Sequence, residues 1–168
     1  VDSDVRPDEC DCAMWVLFPR EGLRAPGDGR THVKYVAIWF AAFFAISALD
    51  ALWHLVIFGW AYGPGFKSVA RMEDGNLALQ PIPGVISQIL VVSALVVLTI
   101  LSVRAGHGYP LNFLVGALGG VLAISVYGLV NQALIKDWSW TLTALEVVWG
   151  PIVGGLGGLF IAWMYRVI

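Results

Sequence analysis

Residues 35–57 read YVAIWFAAFFAISALDALWHLVI, and this stretch decides the fold. It is apolar apart from Ser47, Asp50 and His54. An apolar run of about 20 residues can cross a hydrocarbon core of roughly 30 Å as a helix. The stretch therefore predicts a membrane-spanning helix that carries a carboxylate and an imidazole. Because ionisable groups inside a membrane are costly, they need a partner, a proton or a function.

The composition of the whole chain agrees with this assignment. Of its 168 residues, 58% are hydrophobic and 13% are charged, whereas soluble domains carry about 25% charged residues. Mean hydropathy is +0.76. The net charge of −2 and the lack of a basic cluster argue against nucleic-acid binding. Cys10 and Cys12 are separated by one residue and supply no disulfide framework.

Three further apolar stretches follow the first one. Together they predict an all-α, integral membrane four-helix bundle with a polar N-terminal tail. The tail covers residues 1–32 and the bundle covers 33–168, with spans at 35–57, 82–103, 111–135 and 140–165. Each span has about 22–26 residues, enough to cross the bilayer with some tilt.

The first connecting loop is long and contains several turn signals. Gly63-Pro64-Gly65 is expected to end the helix before it, because proline removes a helical hydrogen bond. Residues 66–72 are expected to form a short surface helix with Lys67 and Arg71 on one side. Glu73–Asn76 is predicted to be a turn.

Lysine and arginine predict the orientation of the bundle. Four spans place both ends of the chain on one side of the membrane. That side has Arg6, Arg20, Arg24, Arg30, Lys34, Arg104 and Arg166, and the other has Lys67, Arg71 and Lys136. Since cytoplasmic segments are enriched in these residues, seven against three predicts cytoplasmic termini.

The strongly polar residues of the spans are expected to converge. Asp50 and His54 lie four residues apart, so they share one helix face. The fourth span begins at Trp140 on the outer side of the membrane. At 1.5 Å per residue, Glu146 lies about 9 Å further along this helix and therefore in the outer half of the bundle. The set predicted to meet in the outer half of the bundle is Asp50, His54, Gln88, Tyr127, Asn131 and Glu146.

Three roles fit this polar set. It can be a structural knot that holds the helices in register. It can be a small binding pocket or a proton-handling site that opens to the outer side. It can also hold a metal or a pigment through His54, although the spacing matches no specific ligand motif. The residues alone leave all three roles open and indicate no particular cofactor.

Small residues mark a second feature of the spans. Glycine recurs at intervals of four residues, a pattern that lets two helix backbones approach closely in a membrane. The residues concerned are Gly116 and Gly120 in the third span and Gly150, Gly154 and Gly158 in the fourth. They predict packing of these two spans on each other or a face for another membrane protein.

Two motifs resemble a known family. Residues 49–53 read LDALW, and residues 127–131 and 146–150 read YGLVN and EVVWG. Together they resemble the bacterial four-helix membrane family called domain of unknown function 2177, over residues 35–166. The resemblance implies a bacterial inner (cytoplasmic) membrane protein. Gly128 and Glu146 stand where the family pattern has aspartate, so one carboxylate is lost and one is kept.

The expected function is that of a small accessory or structural subunit of a larger membrane complex. No catalytic motif is present, which favours a non-enzymatic role. The expected partners are the lipid bilayer and membrane proteins that contact the tail and the glycine faces. The alternative is a small transporter or membrane enzyme that uses Asp50, His54 and Glu146.

Overall fold

The computed structural model of the protein describes residues 29–168 apart from 68, 70, 75 and 79. The predicted all-α membrane bundle is confirmed, because four helices in this part of the chain are long and apolar enough to span a membrane. The predicted tail lies outside the described residues, except for residues 29–32, which already belong to the first helix.

The helices and strands follow one another in a simple order. They are α1 (Gly29–Ala51), a first π-helical segment (Leu52–Ile57), α2 (Gly59–Phe66), β1 (Met72–Glu73), β2 (Asn76–Leu77), α3 (Pro81–Arg104), α4 (Tyr109–Gly120), a second π-helical segment (Val121–Ser125), α5 (Val126–Leu134) and α6 (Trp140–Val167). The first span joins α1 to its π-helical segment, and the third joins α4 to α5 through the other. The second and fourth spans are α3 and α6.

Local sequence explains where three of these helices begin. Pro81 and Pro110 occupy the first turns of α3 and α4, where a missing N–H breaks no helical hydrogen bond. Ser139 precedes α6, and its hydroxyl accepts a hydrogen bond of 3.2 Å from the backbone N–H of Thr141.

The connection after the first span differs from the prediction. Helix α2 continues through Pro64, and the described residues between 67 and 72 are not helical, so the expected surface helix is wrong. Packing explains the difference. Helix α2 buries Tyr62, which is 4% exposed, against Leu142 and Trp138, and this contact outweighs the hydrogen bond that proline removes.

A small hairpin follows α2 at the predicted turn. Strands β1 and β2 pair in antiparallel register, with Glu73 opposite Asn76. Asp74 has a φ of 49°, in the left-handed region that aspartate tolerates in turns. The turn signal in the sequence therefore joins two very short strands.

Helix α6 is central to the bundle. Half of its most apolar window is buried, against 17–22% in the other three spans. Trp149, Val153 and Ile161 on α6 belong to a buried cluster that includes Ile38 of α1 and Val92 of α3. The outward faces of all four spans carry exposed Leu, Val, Ile and Phe side chains, as expected for helices that face lipid.

The glycines of the third and fourth spans lie where α4 crosses α6. Methyl groups built at Gly116, Gly120 and Gly154 would overlap backbone atoms of the facing helix. Gly150 and Gly158 face the same contact from α6. Because the two backbones fill each other's glycine faces, a partner protein would have no access to these faces.

Side chains tie together the end of the bundle where α1 begins and α6 ends. The Lys34 ammonium donates to the backbone oxygen of Tyr165 at 2.6 Å and lies 4.2 Å from the centre of its ring. Arg166 donates to the backbone oxygen of His107, in the α3–α4 connection, at 2.8 Å. The first connecting loop and the α5–α6 connection lie at the opposite end.

Candidate functional site

A cavity of about 280 Å³ lies between the helices near the end that carries α2. Its walls come from all four spans and from Phe66 at the end of α2. The polar side chains that line it are Asp50, His54, Ser87, Gln88, Tyr127 and Glu146. The remaining lining residues are small or apolar, so the polar groups meet in a cavity that is otherwise hydrophobic.

Five of the six polar residues singled out in the sequence therefore line one cavity. Asn131 is not among the lining residues. Its amide nitrogen is buried without a hydrogen-bond partner among the described residues. The neighbouring Gln132 instead accepts a hydrogen bond of 2.9 Å from the Thr143 hydroxyl on α6. Gln132 thus connects α5 to α6 away from the cavity.

His54 lies in the first π-helical segment, directly beyond the last turn of α1. Its Nδ1 is 2.8 Å from the backbone oxygen of Asp50, so this nitrogen carries a proton and donates it. The ring then directs Nε2 towards Glu146 Oε1, at 3.4 Å. Segments of π-helix are frequent at functional sites because they alter the direction of nearby side chains.

Glu146 is the most buried ionisable group of the cavity, with a side chain that is 8% exposed. Its Oε1 accepts a hydrogen bond of 2.9 Å from the Tyr62 hydroxyl and faces His54 Nε2. Burial, and then the neighbouring carboxylate, raise the pKa of Tyr62 well above its ordinary value, so the phenol remains a donor. Nε2 and Oε1 are close enough to share one proton.

Two tryptophans brace the carboxylates, one from each sequence motif. The Trp149 indole N–H donates to Asp50 Oδ1 at 2.6 Å. The Trp53 indole N–H donates to the Tyr62 hydroxyl at 3.3 Å, and that hydroxyl donates to Glu146. The two indoles stack, with centroids 4.4 Å apart and an angle of 12° between their planes. Each motif therefore supplies the tryptophan that supports the other motif's acid.

The two tryptophans were not among the predicted site residues, although the sequence places them at a telling distance from the acids. Both motifs place a tryptophan three residues after the acid, on the same helix face. Tyr62 follows the first predicted span, where an aromatic residue is typical of the membrane interface, so nothing marked it as part of the polar set. The structure thus adds two indoles and a phenol to the predicted set.

Gly128 lies directly against Glu146. A methyl group built at Gly128 would be 2.8 Å from Cβ and 3.4 Å from Cγ of Glu146. On the preceding turn, the Ser125 hydroxyl donates to the backbone oxygen of Val147 at 3.1 Å. These contacts hold the third span close to the second turn of α6, so Glu146 has one position against the cavity.

The arrangement can bind positive charge and hold a proton. Two carboxylates and one imidazole face the cavity, and no lysine or arginine is among its described lining residues. Within the described part of the chain, no group of three or more His, Cys, Asp or Glu side chains is placed to hold a metal ion.

Replacing Trp149 by phenylalanine tests the brace. We expect the variant to lose the coupled near-ultraviolet circular dichroism of the indole pair, and its free energy of unfolding to fall by about 1–3 kcal/mol, because Asp50 loses its donor. The matched control is Trp60→Phe, since Trp60 is 71% exposed. An unchanged spectrum in Trp149→Phe would show that the two indoles do not stack.

Comparison with known proteins places the chain in a family and gives no closer relative. No curated protein and no solved structure matches the chain. The family described as "Predicted membrane protein (DUF2177)" matches residues 35–163. That match includes all four spans and the motifs that carry Asp50 and Glu146, and it covers well over half of the sequence. The chain therefore belongs to the DUF2177 family of predicted membrane proteins.

Proposed function

We propose that this protein is a small membrane transporter that binds a small cationic solute in the cavity between its helices. One observation supports the proposal most directly. Asp50 and Glu146, from the first and fourth spans, face one partly open cavity of about 280 Å³. Ionisable side chains inside membrane spans commonly mark the paths of ions and substrates.

The charges around the cavity argue for a cation. With His54 protonated, the two carboxylates leave one net negative charge in a cavity whose other lining residues are mostly apolar. Attraction between opposite charges is several-fold stronger there than in bulk water. A ligand with one positive charge would neutralise the site, whereas an anion would raise its net charge to about −2. The site therefore selects by charge before it selects by shape.

The size and the neutral polar groups of the cavity restrict the ligand further. Pockets for drug-sized molecules measure roughly 300–1,000 Å³, so a cavity of about 280 Å³ suits a smaller solute. The Gln88 amide nitrogen is buried and has no hydrogen-bond partner among the described residues. It is available to a ligand that also carries an acceptor oxygen.

The orientation proposed from the sequence gives the site its direction. With both ends of the chain in the cytoplasm, as the excess of lysine and arginine predicts, the cavity opens towards the outer side of a bacterial inner membrane. Phe66 at the end of α2 then lines the cavity near its outer end. The proposed transporter would thus take up its solute from outside.

An accessory-subunit role has less support. It rested on the N-terminal tail, on the glycine faces, on Gly128 in place of the family's aspartate, and on the lack of a catalytic motif. The tail lies outside the described residues, and α4 and α6 fill each other's glycine faces. A subunit that only supports a complex also has no need of a cavity lined by six polar side chains.

A matched pair of solutes tests the binding of positive charge. We expect methylguanidinium at millimolar concentration to raise the unfolding temperature of the detergent-purified protein and to alter its tryptophan fluorescence, while the neutral isostere methylurea does neither. Asp50→Asn should weaken the response at least about tenfold, which corresponds to about 1.4 kcal/mol. Equal responses to both solutes would contradict charge selection.

A second carboxylate supplies the control. Glu73 is exposed on the hairpin at the same end of the molecule, so Glu73→Gln should respond like the parent. Flux of labelled methylguanidinium into proteoliposomes then separates transport from binding alone. Binding without any flux would refute the transporter and leave a cation-binding membrane protein.

A further inference from the structure

A second, apolar groove lies at the opposite end of the bundle, between α1 and α3. It has a volume of about 430 Å³ and opens on the exterior of the helix bundle. Its sides are formed by Val36 of α1 and by Val97 and Leu101 of α3, each more than half exposed. It shares no lining residue with the polar cavity. The groove therefore faces lipid and is independent of the proposed transport site.

The floor of the groove is held by contacts of Trp39 with α3 and with its own helix, α1. Trp39 lies along it and donates its indole N–H to the Ser93 hydroxyl at 3.0 Å. The same indole stacks on Phe43, with centroids 5.4 Å apart. Val96, 6% exposed, completes the floor from α3. A groove with a fixed apolar floor can hold an extended hydrocarbon chain without rearrangement.

The mouth of the groove is basic. Arg104, in the last turn of α3, lines it together with Tyr35. Lys34 lies beside Tyr35, with its ammonium over the ring of Tyr165, and Arg166 belongs to the same end of the bundle. No aspartate or glutamate of the described residues lies at this end. They all belong to the opposite half: Asp50, Glu73, Asp74, Asp137 and Glu146.

We propose that this groove binds an anionic phospholipid, with one acyl chain along Trp39 and the phosphate beside Arg104. The apolar length points towards the middle of the membrane, and the basic mouth lies where a helix end meets the headgroups. Basic pockets between membrane helices attract anionic headgroups through charge. The basic mouth and the apolar groove thus fit the same kind of ligand, which has one negative group joined to a long hydrocarbon chain.

Native mass spectrometry of the full chain tests the proposal. The protein is released from nanodiscs that contain equal amounts of phosphatidylglycerol and phosphatidylcholine. We expect one phosphatidylglycerol to stay bound in at least about tenfold preference over phosphatidylcholine. Arg104→Gln should reduce this preference by about fivefold, because it removes one cation from the mouth.

Two further variants complete the experiment, one as a control for charge and one that blocks the groove. Lys67→Gln removes a cation from the other end of the bundle and should leave the preference unchanged. Val97→Trp fills the exposed side of the groove and should release both lipids. Equal retention of the two lipids would overturn the proposal, and so would a groove that retains no lipid because a second copy or residues 1–28 cover it.

Discussion

Replacing Gly154 by alanine is expected to lower the free energy of unfolding by about 1–3 kcal/mol, because overpacking at a close contact forces the backbone to move. The added methyl group would lie 2.8 Å from the Gly120 Cα and would overlap the carbonyl oxygen of Gly116. These atoms belong to a helix backbone and cannot rotate away as a side chain can. Chemical unfolding in mild detergent measures the change.

Gly84→Ala supplies a control with the opposite sign. Gly84 lies inside α3, and a methyl group built there meets nothing within 4 Å. Alanine stabilises a helix interior by roughly 0.5–1 kcal/mol over glycine. The same substitution should therefore stabilise the protein at Gly84 and destabilise it at Gly154. Stabilisation at both positions would refute the close crossing of α4 and α6.

Two substitutions of Glu146 separate a structural role of the site from a binding role. Glu146→Ala should lower the free energy of unfolding by about 3–5 kcal/mol, as breaking a buried pair does, because the partner groups lose their acceptor and a void remains. Those partners are the Tyr62 hydroxyl and His54 Nε2. Loss of the thermal transition measured in detergent would report this effect.

Glu146→Gln keeps the volume and one acceptor oxygen for Tyr62 but removes the charge. We expect this variant to stay folded and to bind methylguanidinium at least about a hundredfold more weakly, a difference of about 2.8 kcal/mol. If glutamine proved as destabilising as alanine, the carboxylate would serve to hold the helices together. The polar set would then be the structural knot that the sequence also allowed.

The membrane spans could be predicted because their signal is strong and local. Hydrocarbon thickness fixes the length of an apolar run, so composition alone gives four helices and their approximate bounds. The meeting of Asp50 with Glu146 also follows from counting residues inward from the ends of the spans. Neither inference requires knowledge of how side chains pack.

Other features depended on tertiary contacts that sequence patterns do not report. The second π-helical segment takes an extra residue into its turn, so the α-helical register does not carry from α4 into α5. Tyr127 lines the cavity, whereas Asn131, one turn further along the same helix, does not. Tyr62 was missed because an aromatic residue after a span is typical of the membrane interface, and no local sign shows that α2 folds back onto α6.

The central place of α6 has a consequence for how the protein is made. The first three spans leave the ribosome before the helix on which they pack has been synthesised. Until α6 enters the membrane, Asp50 lacks the indole of Trp149, and His54 lacks Glu146 as a partner. A chain that stops short of α6 would therefore leave these polar groups without their partners inside the membrane.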